Sequence, residues 1–290
     1  MEQTPPTVSA AWVAEHLSDP DVVVVDASVH LPDTGRDARA EYLEGHIPGA
    51  LFFDLSVIAD PDNPLPRKAP PPGKFAAEMG RLGITEHTHV IAYDTLGLYS
   101  AARVWWMLNL YGHNRVSVLD GGMVAWKASG GAAEAGEVTL PATEYPERER
   151  GARFAAWQDV QSVIGDQSTQ ILDARTPGRF AGTEQDRYPG TRAGHIPGSL
   201  NLYWSDLLDP ETRTLLPVDQ LDEKFKAAGI RDAGTQTVLT CGSGLTACIL
   251  ALGMAVTGRN EWRVYDGSWD EWGRRDDLPL GVGAPGEPGA

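Results

Sequence analysis

A cysteine at the end of a predicted strand is the residue in this chain best suited to chemistry. Cys241 follows the β-branched and aliphatic run Thr237–Thr240 and precedes the segment Thr246–Val256, which is apolar at helical density. The pattern predicts a buried strand that feeds a helix, with the cysteine at the switch between them. Sulfur in such a position acts as a nucleophile when its thiolate form is stabilised.

The residues after Cys241 favour that stabilisation. They are Gly242, Ser243, Gly244 and Leu245. The two glycines permit backbone angles that other residues resist, so successive N–H groups can converge into a nest that holds an anion. The predicted helix directs its positive end at the same point. These residues alone leave a second interpretation open, in which Cys241 is a small buried residue that ends a core strand.

Composition restricts the partners. At 290 residues the chain is long for one domain, and its 24 Lys and Arg against 40 Asp and Glu give a charge of −16, which disfavours nucleic acid and anionic membranes. The N-terminal segment has no signal-peptide features, and no apolar run approaches the ~18 residues of a membrane span.

Cys241 and Cys248 are the only cysteines, so a disulfide between distant segments is excluded and a reducing, cytoplasmic compartment is expected. Cys248 is expected to pack within the helix.

Strands and helices alternate along the chain, and the order then repeats. Alternation predicts an α/β fold with parallel sheets covered by helices on both faces, in which ligands bind at the carboxyl ends of strands. We therefore predict two copies of one domain, residues 1–140 and 141–290. The matching landmarks are Asp26 with Asp173 (173 − 26 = 147), His46 with His195 (195 − 46 = 149), Asp120 with Asp266 (266 − 120 = 146) and Trp126 with Trp272 (272 − 126 = 146).

The two copies differ where the cysteine stands. Asp94 is the matching residue of the first copy, since 241 − 94 = 147, and the loop Thr95–Tyr99 that follows it has one glycine in place of two. Only the second copy keeps a thiol at this strand end. The difference predicts that any thiol chemistry belongs to the second copy.

These features together resemble the tandem rhodanese sulfurtransferases over nearly the whole chain. The resemblance rests on the two His-Ile-Pro-Gly segments, the paired Asp-Gly…Trp segments and the cysteine loop. It implies two rhodanese-like domains, of which the first, with Asp94, is catalytically inactive. The loop Cys241-Gly-Ser-Gly-Leu-Thr246 is similar to the Cys-Gly-Ser-Gly-Val-Thr loop of the 3-mercaptopyruvate sulfurtransferases, with Leu245 in place of Val. The thiosulfate enzymes instead carry Cys-Arg-Lys-Gly-Val-Thr.

The resemblance also implies which residues bind the donor. Arg179 and Arg187 would hold the carboxylate and carbonyl of mercaptopyruvate with forked donors from outside the loop. For each, the interpretation without the resemblance is a solvated surface arginine. The loop residues implied in binding are Gly242, Gly244, Leu245 and Thr246.

A Ser-His-Asp arrangement is implied as well. Ser243 would act with His46 and Asp37 to shuttle the proton that carbon needs when the enolate of pyruvate collapses. The alternative for His46 is structural, because His195 occupies the equivalent position of the other repeat. Asp33 lies near Asp37 in sequence and competes for the same role.

The implied reaction is a double displacement through a persulfide on Cys241, with pyruvate released and a thiol such as thioredoxin, or cyanide, as acceptor. No metal or organic cofactor is implied, because no ligand residues cluster at metal spacing, and a monomer is expected. Three alternatives remain: thiosulfate:cyanide transfer, a cysteine phosphatase, and a non-catalytic binding module. A phosphatase needs arginine six residues after the cysteine, where Ala247 stands.

Overall fold

The computed structural model describes residues 4–231 and 234–285 and divides the chain into two compact units. The first comprises Met1–Gly151 with Asp209–Thr214, and the second comprises Ala152–Leu208 with Leu215–Ala290. The boundary thus lies eleven residues (151 − 140 = 11) after the seam predicted at residue 140.

The first unit is built on a five-stranded parallel sheet with the order β1-β5-β4-β2-β3. Its strands are β1 Thr7–Val8, β2 Val22–Asp26, β3 Leu51–Phe52, β4 His89–Tyr93 and β5 Val116–Leu119. Its helices are α1 Ala10–His16, α2 Ala38–Glu44, α3 Pro72–Arg81, α4 Ala101–Leu110 and α5 Gly122–Ala128.

The second unit repeats this architecture with the strand order β6-β10-β9-β7-β8, again all parallel. Its strands are β6 Phe154–Ala155, β7 Thr169–Asp173, β8 Leu200–Asn201, β9 Gln236–Thr240 and β10 Trp262–Tyr265. Its helices are α6 Trp157–Ser162, α7 Pro177–Ala181, α8 Val218–Ala227, α9 Ala247–Val256 and α10 Ser268–Trp272. The predicted fold class and the duplication are confirmed.

Burial explains why the central elements form. All five residues of β4 and four of the five in β9 are buried, as expected of interior parallel strands whose two faces are both covered. Helix α9 is apolar on most of its surface and carries eight buried residues, so packing rather than solvent fixes its position.

The extension of the first unit to Gly151 is held by backbone and side-chain hydrogen bonds. Thr143 donates its N–H to the carbonyl of Gly80 at 2.8 Å, and the hydroxyl of Tyr145 lies 2.9 Å from Nδ1 of His113. Hydrogen bonds of this kind leave no apolar period in the sequence. The seam predicted at residue 140 therefore differs from the end of the first unit at Gly151.

No helix among residues 4–231 and 234–285 is long and apolar enough to cross a bilayer.

Candidate active site around Cys241

Cys241 emerges at the carboxyl edge of the second sheet. Strand β9 lies between β7 and β10, with Thr240 opposite Asp173 and Leu239 opposite Val264. The cysteine is buried, with 1% of its surface exposed. Loops that follow β7 and β10 therefore begin beside the sulfur, as the strand-edge rule for parallel sheets predicts.

The loop after the cysteine turns back over the sulfur. Gly244 donates its N–H to Cys241 Sγ at 3.1 Å, a contact that stabilises negative charge on sulfur. Gly244 has a φ of +79°, and a Cβ there would lie 2.5 Å from the carbonyl oxygen of Asp266. Glycine at this position is therefore required by both the backbone conformation and the close approach.

The first residues of α10 fix the orientation of the loop peptides. Trp269 donates its N–H to the carbonyl of Cys241 at 3.0 Å, and Asp270 donates to the carbonyl of Gly242 at 2.8 Å. In a trans peptide the C=O and the following N–H point in opposite directions. The N–H groups of Gly242 and Ser243 consequently point away from α10.

Ser268 is a site residue that the sequence analysis missed. Its Oγ accepts the N–H of Cys241 at 3.2 Å, donates to the carbonyl of Tyr265 at 2.8 Å and lies 4.0 Å from Cys241 Sγ. Ser268 has a φ of +52°, which is strained for a residue with a Cβ. The available signal was the repeat, since the matching residue is Gly122 (268 − 122 = 146).

Cys248 lies in the first turn of α9 and is fully buried. Its Sγ donates to the carbonyl of Gly244 at 3.3 Å, so it packs against the same loop from the helix side. Both cysteines are thiols and not part of a disulfide. This agrees with the packed helix position expected for Cys248.

The two predicted donor-binding arginines lie in the segment after β7. Arg179 lies on α7, whose cap Thr176 accepts the N–H of Arg179 at 3.4 Å, and its Nε lies 3.3 Å from Oε1 of Glu184. Arg187 is exposed. Because β7 pairs with β9, both arginines follow a strand that ends at the same edge as Cys241.

A buried ion network anchors the segment that carries Arg187. Arg175 contacts Asp173 at 2.7 Å and Asp186 at 2.9 Å, and its guanidinium lies 4.3 Å from the ring centroid of Trp269. Burial opposes the charge on Arg175, but the two carboxylates more than offset it and raise the pKa of the guanidinium. In the sequence Asp173 stood out only as a landmark of the repeat, and its ion pair with Arg175 follows from the structure.

Asp37 and His46 have local partners within the first unit. Asp37 caps α2, where its Oδ1 accepts the N–H groups of Arg39 and Ala40 at 2.9 and 3.0 Å. His46 is fully buried and stacks on Tyr42 with ring centroids 4.2 Å apart, and its Nδ1 lies 2.8 Å from the carbonyl of Tyr42.

His195 of the second unit repeats the arrangement of His46. It stacks on Phe180 with centroids 3.9 Å apart, and its Nδ1 lies 2.9 Å from the carbonyl of Phe180. Nε2 of each histidine has no hydrogen-bond partner among the described residues. The shared contacts indicate that both imidazoles brace the Gly-His-Ile-Pro-Gly turns.

Comparison with known proteins agrees with the duplicated fold. The model of the rhodanese-like domain matches residues 9–129 and again residues 156–275. The chain is 39% identical to 3-mercaptopyruvate sulfurtransferase of Escherichia coli (strain K12) over 275 residues, covering 94% of this chain and 96% of that one. It is 40% identical to 3-mercaptopyruvate sulfurtransferase of Homo sapiens over 271 residues, covering 91% of each.

A solved structure gives the same result. The fold matches the crystal structure of SseA from Escherichia coli with a TM-score of 0.83 and 37% identity, over 92% of this chain and 99% of that chain.

Proposed function

We propose that this chain, which belongs to the rhodanese family, is a sulfurtransferase that moves sulfur from 3-mercaptopyruvate to a thiol or to cyanide. The observation that carries the proposal is the environment of Cys241. Its sulfur ends a buried strand and accepts the N–H of Gly244, inside a loop without a cationic side chain. The activity named for the E. coli and human relatives supports this choice of donor.

In the first step the Cys241 thiolate attacks the sulfur of the donor. The carbon–sulfur bond breaks, its electron pair remains on carbon as the enolate of pyruvate, and the transferred sulfur keeps its proton as Cys241–S–SH. A proton added to that carbon completes pyruvate. We propose that the hydroxyl of Ser243, which lies within the loop, relays this proton: it gives its own proton to carbon and takes another from water.

In the second step an acceptor thiolate attacks the outer sulfur. The sulfur–sulfur bond breaks, the electron pair returns to Cys241, and the acceptor leaves as its persulfide, or as thiocyanate when cyanide attacks. The amide of Gly244 supports the charge on Cys241 before and after transfer. We propose a small thiol or a thioredoxin as acceptor, and a monomeric, cytoplasmic enzyme.

Cationic side chains outside the loop must bind the negative charge of the donor. The donor carries one carboxylate and a carbonyl, which suit the forked N–H donors of Arg179 and Arg187. Thiosulfate is a compact dianion, and Gly242 and Ser243 place no cation beside it. Thiosulfate is therefore the second donor to test rather than the first.

Catalysis is assigned to the second unit alone, because Asp94 stands where the thiol would be. The Ser-His-Asp arrangement with His46 and Asp37 stays a prediction. The contacts within the first unit give Asp37 a capping role and His46 a bracing role, so the proposal does not depend on them.

Intact mass spectrometry tests the proposal. After incubation with 3-mercaptopyruvate the protein should gain the mass of one sulfur atom on the peptide that contains Cys241, and cyanide should remove it as thiocyanate. Cys241→Ser is the control and should gain nothing. A much higher kcat/KM with thiosulfate than with 3-mercaptopyruvate would contradict the donor, and a label on Cys248 would contradict the nucleophile.

A further inference from the structure

The ring of Tyr188 lies directly against the second residue of the cysteine loop. A Cβ added to Gly242 would lie 2.6 Å from Tyr188 Cε2, 2.8 Å from its hydroxyl oxygen and 3.1 Å from Cζ. The first two separations are shorter than a real Cβ atom shows, and the third is tight. The φ of Gly242 lies outside the left-handed region, so the tyrosine ring, and not the backbone, excludes a side chain there.

The start of the segment that carries Tyr188 is anchored. We call residues 186–192 the strap. The Asp186 carboxylate is buried, with Oδ2 2.9 Å from Nη1 of Arg175 and Oδ1 accepting the N–H of Arg187 at 2.7 Å.

The end of the strap is anchored as firmly. Thr191 donates its hydroxyl to the carbonyl of Tyr188 at 2.8 Å. The Arg192 guanidinium donates to carbonyls at the end of α10 and beyond, namely those of Trp272, Gly273, Arg275 and Leu278. Because these bonds hold the main chain on both sides, Tyr188 can make room for a side chain at position 242 only by turning its ring away from the loop.

We infer that Tyr188 is a specificity-determining residue: its ring occupies the space into which a side chain at position 242 would extend, and it keeps the loop free of a cation at that position. The inference rests on the proposed function of the loop. It deepens that function, because a loop closed in this way favours donors whose charge is held by Arg179 and Arg187 over a compact dianion that needs a cation beside the sulfur.

A double-mutant cycle between Gly242→Ala and Tyr188→Ala tests the contact. With Tyr188 in place, we expect Gly242→Ala to lower both the alkylation rate of Cys241 by iodoacetamide and kcat/KM for 3-mercaptopyruvate by about tenfold or more. In the Tyr188→Ala background the same substitution should change each by less than about threefold, since neighbours in contact are not additive. Tyr188→Phe keeps the ring and is the matched control, in which Gly242→Ala should remain harmful.

A second arm tests specificity. Gly242→Arg should raise the ratio of kcat/KM for thiosulfate over 3-mercaptopyruvate by about tenfold or more in the Tyr188→Ala background, where there is room for the guanidinium, and not in the wild type. Equal ratios in both backgrounds would overturn the inference.

Two measurements distinguish loss of the contact from misfolding and from failure of the proposed reaction. Circular dichroism identifies variants that fail to fold: a Gly242→Ala chain that is rescued by Tyr188→Ala supports the contact, and one that is not rescued overturns it. Alkylation needs no sulfur donor. If the wild type takes no sulfur from 3-mercaptopyruvate the proposed function fails, while the alkylation cycle still decides whether the ring excludes a side chain.

Discussion

The strand ends at Asp94 and Cys241 are built on one plan and hold different side chains, a carboxyl group in the first unit and a thiol in the second. In the first unit the loop amides converge on a carboxylate: Leu96 donates to Asp94 Oδ1 at 2.8 Å, and Ser100 and Ala101 donate to Oδ2 at 2.7 and 2.8 Å. Burial raises the pKa of Asp94, and these N–H groups oppose that shift. In the first unit these N–H groups are therefore occupied by the carboxyl group of Asp94.

In the second unit the same main-chain frame surrounds sulfur. Trp269 donates to the carbonyl of Cys241 as Met123 does to that of Asp94, at 3.0 and 2.9 Å. The sulfur side chain is shorter than a carboxylate and accepts the N–H of Gly244. The two units thus share one main-chain frame at this strand end, and under the proposed function the residue that stands there decides whether the site is structural or reactive.

Exchanging the two strand-end residues should give the largest effects. Cys241→Asp copies the first unit and should lower kcat/KM at least about a thousandfold, since it removes the nucleophile. Asp94→Cys should add no activity and should lower the free energy of unfolding by about 2–4 kcal/mol, because three N–H groups lose the carboxyl oxygens that accept their hydrogen bonds. Kinetics and urea unfolding measure these effects. Sulfur transfer by Asp94→Cys in a Cys241→Ser background would contradict the comparison.

Exchanging the residues at the matching positions 268 and 122 should have smaller effects. Ser268→Gly should lower the alkylation rate of Cys241 about tenfold. The hydroxyl that accepts the N–H of Cys241 is lost, so the backbone that positions the sulfur is held less firmly. Stability should change by less than about 1 kcal/mol, because the relief of left-handed strain is offset by the loss of the acceptor for the buried N–H of Cys241. In the first unit, Gly122→Ser should lower the free energy of unfolding without changing activity, since its Cβ would collide with the carbonyl oxygen of Asp94. Unchanged alkylation in Ser268→Gly would show that the hydroxyl has no effect on Cys241.

The two bracing histidines form a matched pair. His46→Gln and His195→Gln should each lower the free energy of unfolding by about 1–3 kcal/mol, through loss of ring stacking and of one buried hydrogen bond. We expect kcat with 3-mercaptopyruvate to stay within about threefold of wild type in both variants. A tenfold loss confined to His46→Gln would instead support the Ser-His-Asp arrangement.

A separate effect, visible only in acid, concerns stability. His89 begins β4, and its counterpart in β9 is Gln236 (236 − 89 = 147). Burial, together with the positive charges of Arg115, His113 and His16, lowers the pKa of His89 to about 4. Between the ordinary histidine pKa of about 6.5 and that value, the unfolded chain binds a proton that the folded chain refuses. The free energy of unfolding therefore falls as pH falls across this window.

His89→Gln should reduce that fall, because glutamine does not titrate and can still donate to Ser117, which lies 3.0 Å from Nε2 of His89. Urea unfolding of both proteins at pH 7 and pH 4.5 gives the comparison. An equal loss of stability in the two would show that His89 is not the titrating group.

Much of this protein follows from local and periodic patterns. The β-branched run before Cys241 and the apolar run after Thr246 predicted β9 and α9 to within a residue. The repeat of His-Ile-Pro-Gly and Asp-Gly…Trp predicted two similar sheets. Such patterns survive in one dimension because strand and helix burial follow fixed spacings along the chain.

Tertiary structure alone decided what surrounds the sulfur. Ser268 and the first turn of α10 reach Cys241 because β10 lies beside β9, and Tyr188 reaches Gly242 because β7 lies on the other side. Strand order brings together residues 27 and 54 positions apart (268 − 241 = 27, 242 − 188 = 54). The sequence by itself determined that a thiol, Cys241, stands at the end of a strand. The groups that face this thiol depended on the order in which the strands pair.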